Sequence, residues 1–281
     1  MELTGEKKDW GRGMAEAFSM VKDQAPLVHM IANYVTASFC ADAMAAMGAR
    51  PLMAQAPEEM DTITAASAAT VLNTGTPDRA RFDACLLCAK ACAAAKQPVV
   101  LDPVGVGGNP WRLERVEEII RLFPPAILRV NLGEAQALLH QASREVGVDS
   151  PLPAAAADRL AAAVNLARQR RSVVLLSGPE DLVTDGVTAW QVGGGSGLMS
   201  RVTGTGCMLS VLCGAFAAAA PDALSAALTA AAFWKVCSQE AETAAAGRGP
   251  GSFHTALLDA AGTLTPERCA ALAQVTQVDL P

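Results

Sequence analysis

Aromatic residues are scarce: the 281-residue chain holds one Tyr, four Trp and seven Phe, 4% of the total. Cations are also in the minority, 22 Lys and Arg against 28 Asp and Glu, for a net charge of -6, and no basic run makes a local exception. That field repels a phosphate backbone, so no nucleic-acid partner is expected. An anionic substrate must then be held by backbone N–H groups or by a few Arg.

Histidine is rarer still, and His29, His140 and His254 show neither zinc nor triad spacing. There is no GxxxxGK followed by Ser or Thr and no GxSxG, which sets aside P-loop NTPase and α/β-hydrolase chemistry. The most apolar stretch, Val202 to Val236, is cut by Gly214, Pro221 and Asp222 into pieces too short to cross a bilayer. Lys7 and Lys8 have no apolar segment behind them, so no secretory signal is read. A soluble, cytoplasmic protein with no membrane partner is expected. The eight Cys are dispersed in Ala-rich segments, which suits reduced thiols. Cys85, Cys88 and Cys92 share one helix face, but among Leu86, Leu87, Ala91 and Ala93 they read as packing, not as a ligand set.

What is present is a repeat of short β-prone runs, each followed by a polar or Gly-rich break and then a helical pattern. The runs are Leu27 to Ile31, Pro51 to Ala54, Thr70 to Leu72, Pro98 to Leu101, Ala126 to Val130 and Val173 to Leu176. This alternation predicts an α/β fold with a mostly parallel sheet and helices on both faces, in one domain over residues 1–281. Asp185-Gly186, between two further β-prone runs, predicts a type I′ hairpin added at the sheet edge. Gly193 to Gly197 reads equally as a mobile loop beside the site or as an exposed connector, and Gln141 to Ala157 as a loop-like insertion. Two apolar helices are expected at about 207–219 and 223–246, on either side of Pro221-Asp222.

In an open α/β sheet, ligands bind beyond the carboxyl ends of the strands. The strongest chemical element is Val202-Thr203-Gly204-Thr205-Gly206-Cys207, running into an apolar helix. Its glycines let N–H groups converge on an anion, and the helix start adds partial positive charge. Cys207 falls in the first turn, where the dipole is expected to favour a thiolate that can take a proton. Asp102 and Glu134 each follow a strand, and two such acids facing one crevice suit Mg²⁺; read singly, each is more often a cap or turn former. Arg129 and Asn131 are candidates to clamp phosphate oxygens.

Several segments together resemble the hydroxyethylthiazole kinase family, the thiamine-salvage members of the ribokinase-like superfamily. They are HMIANYVTASFCADAMAAMGARPLMAQAPEEM, VLNTGTPDR, PVVLDPVGVGG, the Arg129, Asn131 and Glu134 group, LSGPEDLVTDG, VTGTGC and GPGSFHTALLD, in that order between Leu27 and Leu264. The resemblance implies a ribokinase-like fold and ATP-dependent phosphorylation of the hydroxyl of 4-methyl-5-(2-hydroxyethyl)thiazole, with Mg²⁺. It implies that Cys207 is catalytic and that Gly204 and Gly206 form the anion hole, Gly204 also bordering the substrate. Arg129 and Ser177, with Asn131, would bind ATP; Asp102 and Glu134 would lie near the metal; Met53, Asn33 and Val35 would line a thiazole pocket between subunits of a homotrimer. Three residues depart from the family pattern: Ala32 for Thr, Val130 for Gly, which is expected to add bulk beside the phosphates, and Ser177 for Thr. The alternatives are a hydroxymethylpyrimidine- or pyridoxal-type kinase, a non-catalytic trimer that binds thiazole or nucleotide, and a redox sensor using Cys207.

Overall fold

A computed structural model describes residues 5–140 and 156–281, so the expected insertion lies, over residues 141–155, outside the described residues. The chain opens with helix α1 (Gly5–Gln24) and then alternates strand and helix. The strands are β1 (Leu27–Ile31), β2 (Arg50–Met53), β3 (Ala69–Asn73), β4 (Val99–Asp102), β5 (Ile127–Val130) and β6 (Val173–Leu176). The helices between them are α2 (Ala37–Met47), α3 (Met60–Ala66), α4 (Arg79–Ala95), α5 (Pro110–Leu122), α6 (Leu132–Leu138) and α7 (Ala156–Arg170). These strands pair in parallel in the order β2-β1-β3-β4-β5-β6. Parallel strands covered on both faces need apolar residues at nearly every position, and β3 through β6 supply them.

Side chains alternate between the two faces, and the core splits accordingly. Val28, Val71, Val100, Ile127 and Leu175 pack on one face with α1, α2 and three later helices, α8 (Thr205–Ala217), α9 (Ala223–Ala245) and α10 (Pro250–Thr263). Ile31, Leu72, Leu101, Leu128, Val130 and Leu176 pack on the other face with α4 to α7. Helices therefore cover both faces, and α8 and α9 match the expected pair closely. Helix starts follow their capping residues: Asp78 accepts from Arg81 N, Asn109 precedes Pro110 at the first position of α5, and Asp222 accepts from Ser225 N.

Beyond β6 the sheet turns antiparallel through β7 (Asp181–Thr184) and β8 (Ala189–Val192). The expected hairpin forms, but its turn differs. Thr184 pairs with Ala189, leaving Asp185 to Thr188 as the loop, and of these Gly186 alone has positive φ. A type I′ turn needs two such residues. Here the Asp185 carboxylate instead closes the loop by accepting from Val187 N and Thr188 N. After α11 (Pro266–Leu272), strand β9 (Val275–Val278) pairs outside β8 and forms that edge of the sheet. This strand is absent from the expectations above, although Val275, Thr276 and Val278 carry β propensity. Gly193 to Ser196 run half-buried, tied by Gly193 N to Gln274 O at 2.9 Å and by Ser196 N to Ser238 Oγ at 3.1 Å. Among the described residues no helix is long and apolar enough to cross a membrane.

Candidate active site

The period of two that divides the core also assembles the site. Positions 71 and 100 lie under α8 and positions 127 and 175 under α9, on one face of the sheet, so Asn73, Asp102, Arg129 and Ser177, each an even step further along its strand, lie on that same side at the strand ends. Parallel register places Asn73 directly beside Asp102. On the facing side the turn before α8 closes over them. Gly204 caps the helix with φ +88°, a conformation that L side chains resist, and a Cβ there would stand 2.7 Å from Thr36 Cγ2. The buried Trp234 indole donates to Thr205 O at 3.0 Å, and Thr205 Oγ1 donates to Met199 O at 3.1 Å, which fixes the direction of the helix start. The first N–H groups of an α-helix have no intrahelical acceptor, so those at the start of α8, which begins at Thr205, are left without a partner within the helix. Gly206 allows close approach of Arg129, whose Nη2 would be 2.5 Å from an added Cβ.

Arg129 connects the two halves. Its Nη2 donates to Ser177 Oγ at 2.8 Å, and its Nη1 lies 3.4 Å from Asp102 Oδ1. Burial disfavours the guanidinium charge, but Asp102 and Glu134 outweigh this and hold it protonated. Asp102 is fully buried, and its Oδ2 accepts from Asn73 Nδ2 at 2.7 Å and Ser210 Oγ at 2.8 Å. Burial raises its pKa, with Arg129, Ser210 and Asn73 opposing. Cys207 Sγ faces two amide donors, Asn73 Nδ2 at 3.2 Å and Asn33 Nδ2 at 3.5 Å. The thiolate expected from its helical position is not the resting form. Desolvation and, second, the negative charge of Asp102 push the thiol up to about 11, more than offsetting Thr36, Arg129 and Asn73.

Glu134 and Asn131 form a capping box on α6: Glu134 N donates to Asn131 Oδ1 and Asn131 N to Glu134 Oε2, both at 2.8 Å. The other oxygen of Glu134 accepts from Gly105 N at 3.0 Å. Burial pushes this carboxyl up to about 8 against the pull of Arg129. The capping role that competed with the metal role is thus present, and both acids still belong to one buried group around Arg129. Val130 corrects the expectation of bulk beside the phosphates. Strand alternation turns its side chain into the opposite core, where it packs among Leu128, Leu176 and the α4 to α7 helices. Val35 (58% exposed), Met53 (37%) and the neighbouring Tyr34 (67%) form an open apolar rim after β1 and β2, while Asn33 is buried beside Cys207.

Asn73, Ser210 and Trp234 also belong to the site, although sequence reasoning gave them no role. Asn73 was legible as the polar end of a β run, and Ser210 as the residue one helical turn after Gly206 and Cys207. Trp234 had no local signal, since it reaches the turn from the middle of α9. A wide cleft of about 740 Å³ lies elsewhere, lined by Glu114, Glu117, Arg121 and Arg170 at the amino ends of β5 and β6. Its position, opposite the strand carboxyl ends, separates it from this chemistry. No three His, Cys, Asp or Glu among the described residues are grouped to cage a metal ion.

Residues 18–267 match the model of the Hydroxyethylthiazole kinase family. A hydroxyethylthiazole kinase of Listeria monocytogenes is 38% identical over 257 residues, covering 92% of this chain and 95% of that protein. The solved structure of the hydroxyethylthiazole kinase protein from Pyrococcus horikoshii superposes with a TM-score of 0.85 at 32% identity, covering 95% of this chain and all of that one. The pyridoxal kinase of Staphylococcus aureus, solved with ADP, has a TM-score of 0.61 at 15% identity over 90% of this chain and 98% of that one, and shares the ribokinase-like fold. With a family match over most of its length and a relative 38% identical across 92% of it, the chain belongs to the hydroxyethylthiazole kinase family.

Proposed function

We propose that this chain, acting as one domain over residues 1–281, transfers the γ-phosphoryl group of ATP to the hydroxyl of 4-methyl-5-(2-hydroxyethyl)thiazole. The observation that carries the reading is the meeting of the Gly204 to Cys207 turn, the Arg129–Ser177 pair and the Cys207 thiol at one end of the sheet. Phosphoryl transfer is served mainly by positioning and by charge stabilisation. The N–H groups of the turn meet the equatorial oxygens in this reading, with Gly204 and Gly206 shaping the anion hole. Arg129 and Ser177, with Asn131 behind them, bind the nucleotide phosphates. Cys207 hydrogen-bonds the acceptor hydroxyl and takes its proton late; Asn33, Val35, Met53 and Gly204 surround the thiazole.

Mg²⁺ fits as an ion that keeps its own waters. Two buried carboxyl groups, Asp102 and Glu134, face a single guanidinium, and a cation beside them would favour the ionised form of Glu134 that burial otherwise disfavours, while their oxygens already accept protein N–H and O–H groups. They would hold it through those waters, and when bound it neutralises charge on the phosphates. The exposed Tyr34, Val35 and Met53 support a homotrimer in which a neighbouring subunit closes the thiazole pocket. Eight free thiols, seven of them buried, suit the reducing cytoplasm.

The experiment is ADP release with Mg·ATP and, in turn, hydroxyethylthiazole, hydroxymethylpyrimidine, pyridoxal or no acceptor. Release that depends on the thiazole is expected. Release with another acceptor would reassign the substrate, and ATP binding without release would make the chain a sensor.

A further inference from the structure

We infer that Asn73 is a positioning residue that tethers the Cys207 sulfur to the Asp102 carboxylate, aiming the thiol at the acceptor hydroxyl. The role in catalysis rests on the kinase reading above; the tether itself does not.

The orientation of the Asn73 amide is dictated by its neighbours. Gly75 N can only donate, and it reaches Oδ1 at 3.0 Å; Asp102 Oδ2, an acceptor when ionised, lies 2.7 Å from Nδ2. Nδ2 must therefore carry the two hydrogens, one for Asp102 and one for Cys207 Sγ at 3.2 Å. Asn33 is set by the same logic. Its Oδ1 accepts from Val35 N and Thr36 N, both at 3.0 Å, so its Nδ2 donates to Asn73 Oδ1 at 2.9 Å and toward Cys207 Sγ at 3.5 Å.

Every hydrogen-bonding site of the Asn73 amide is thus filled, and the side chain is fully buried. An amide locked in this way has one rotamer, and the sulfur it donates to has one place. Because both amides approach as donors, the thiol hydrogen is left to point away from them. The same two donors stabilise charge on sulfur as a proton leaves. Ser210, donating to Asp102 Oδ2 from one turn further along α8, locks the far end. Asp102, out of contact with solvent, then acts on Cys207 through Asn73 as well as through its charge. The charged and titratable groups facing Cys207 are Asp102 from β4, Arg129 from β5 and Cys40 from α2. None of them supplies an N–H to the sulfur; Asn73 and Asn33 do, the Thr36 side chain also hydrogen-bonds to it, and of these Asn73 is the one that links it to Asp102.

Two readouts test this in the full-length protein. The first is the pH dependence of iodoacetamide alkylation, without ATP or acceptor. Cys207 alone among the eight thiols is partly exposed, so the fast phase reports it. Asn73→Ala removes the donor, and the near-isosteric Asn73→Asp replaces it with a like charge; both should move the alkylation midpoint upward, Asn73→Asp further. An unchanged midpoint in either folded variant overturns the tether. The second is a double-mutant cycle on ADP release. Asn73→Ala should lower kcat by about a hundredfold with KM for ATP within about twofold, yet cost almost nothing further in a Cys207→Ala background. An equal loss in both backgrounds would show a structural role and sink the proposal. Should Asn73→Ala fail to fold, Asn73→Asp carries both readouts. Should no variant or parent release ADP, the kinase reading fails while the alkylation midpoints still decide the tether.

Discussion

Cys207 occupies the third position of α8, where the helix dipole favours a thiolate, and burial beside Asp102 overrides that preference. With its pKa at about 11 in the free protein, the thiol is neutral at pH 7 and acts through hydrogen bonding until the acceptor proton moves. Turnover should therefore rise with pH in parallel with Cys207 alkylation, and Cys207→Asp, whose carboxyl ionises at lower pH than a thiol in the same surroundings, should stay active and lose that alkaline rise. A retained rise in the Asp variant would assign the titration to another group. Cys207→Ala should lower turnover by about a hundred- to ten-thousandfold, leaving ATP affinity intact by calorimetry. The glycines are as specific as the thiol. Gly206→Ala puts a methyl group where Arg129 Nη2 lies, so KM for ATP should rise by about tenfold, whereas a change confined to kcat would remove Arg129 from nucleotide binding.

At the scale of elements, α8 does two things: its first turn faces the strand ends, and its body seals one face of the sheet. Gly214 is where it comes closest, since a Cβ there would stand 2.5 Å from Val71 Cγ2 and 3.1 Å from Val28 Cγ1. Gly214→Ala should cost about 1–3 kcal/mol through overpacking, read as a fall of several degrees in Tm with KM for ATP unchanged. Much of this level was legible in the chain. The β-branched runs, their polar breaks and the capping residues Asp78, Asn109 and Asp222 mark the elements within a residue or two. The hairpin turn was misjudged because a side-chain oxygen competed with backbone φ: Asp185 closes the loop itself. Strand β9 was passed over because a four-residue run of mixed polarity is stabilised by its β8 partner, not by its own pattern.

For the molecule as a whole, the cluster of buried acids sets a pH dependence. Glu134 keeps its proton in the native state up to about pH 8 but loses it near 4.5 when unfolded, so the native state binds more protons across that window. In a Cys92→Ser background, which removes a thiol whose lowered pKa of about 7 gives the opposite slope, stability should fall as pH rises from about 6.5 to 8, above the range in which His29, lowered by burial, opposes it. Mg²⁺, by supplying positive charge beside the acids, should flatten this fall; urea unfolding at several pH values with and without the ion is the measurement, and a slope of the opposite sign would place the raised acid elsewhere. Light scattering should give three times 28.9 kDa, and Met53→Glu at the apolar rim should dissociate the trimer and raise KM for the thiazole while ATP still binds. A monomer with full thiazole turnover would remove the subunit-interface pocket.

The sequence by itself determined the sheet, the order of its parallel strands along the chain, the Gly-rich turn before α8 and the family. These are encoded locally, in period-two apolar runs, in glycines at a helix start and in motifs a few residues long. The tertiary structure decided what distance and burial control. It turned Val130 into the opposite core, away from Arg129, bound Glu134 into a helix cap, raised the Cys207 thiol instead of lowering it, and brought Asn73, Asp102 and Ser210 into one network from β3, β4 and α8. Desolvation depends on every chain segment that excludes water from a group, and residues far apart in sequence meet only when the sheet and its covering helices are packed together.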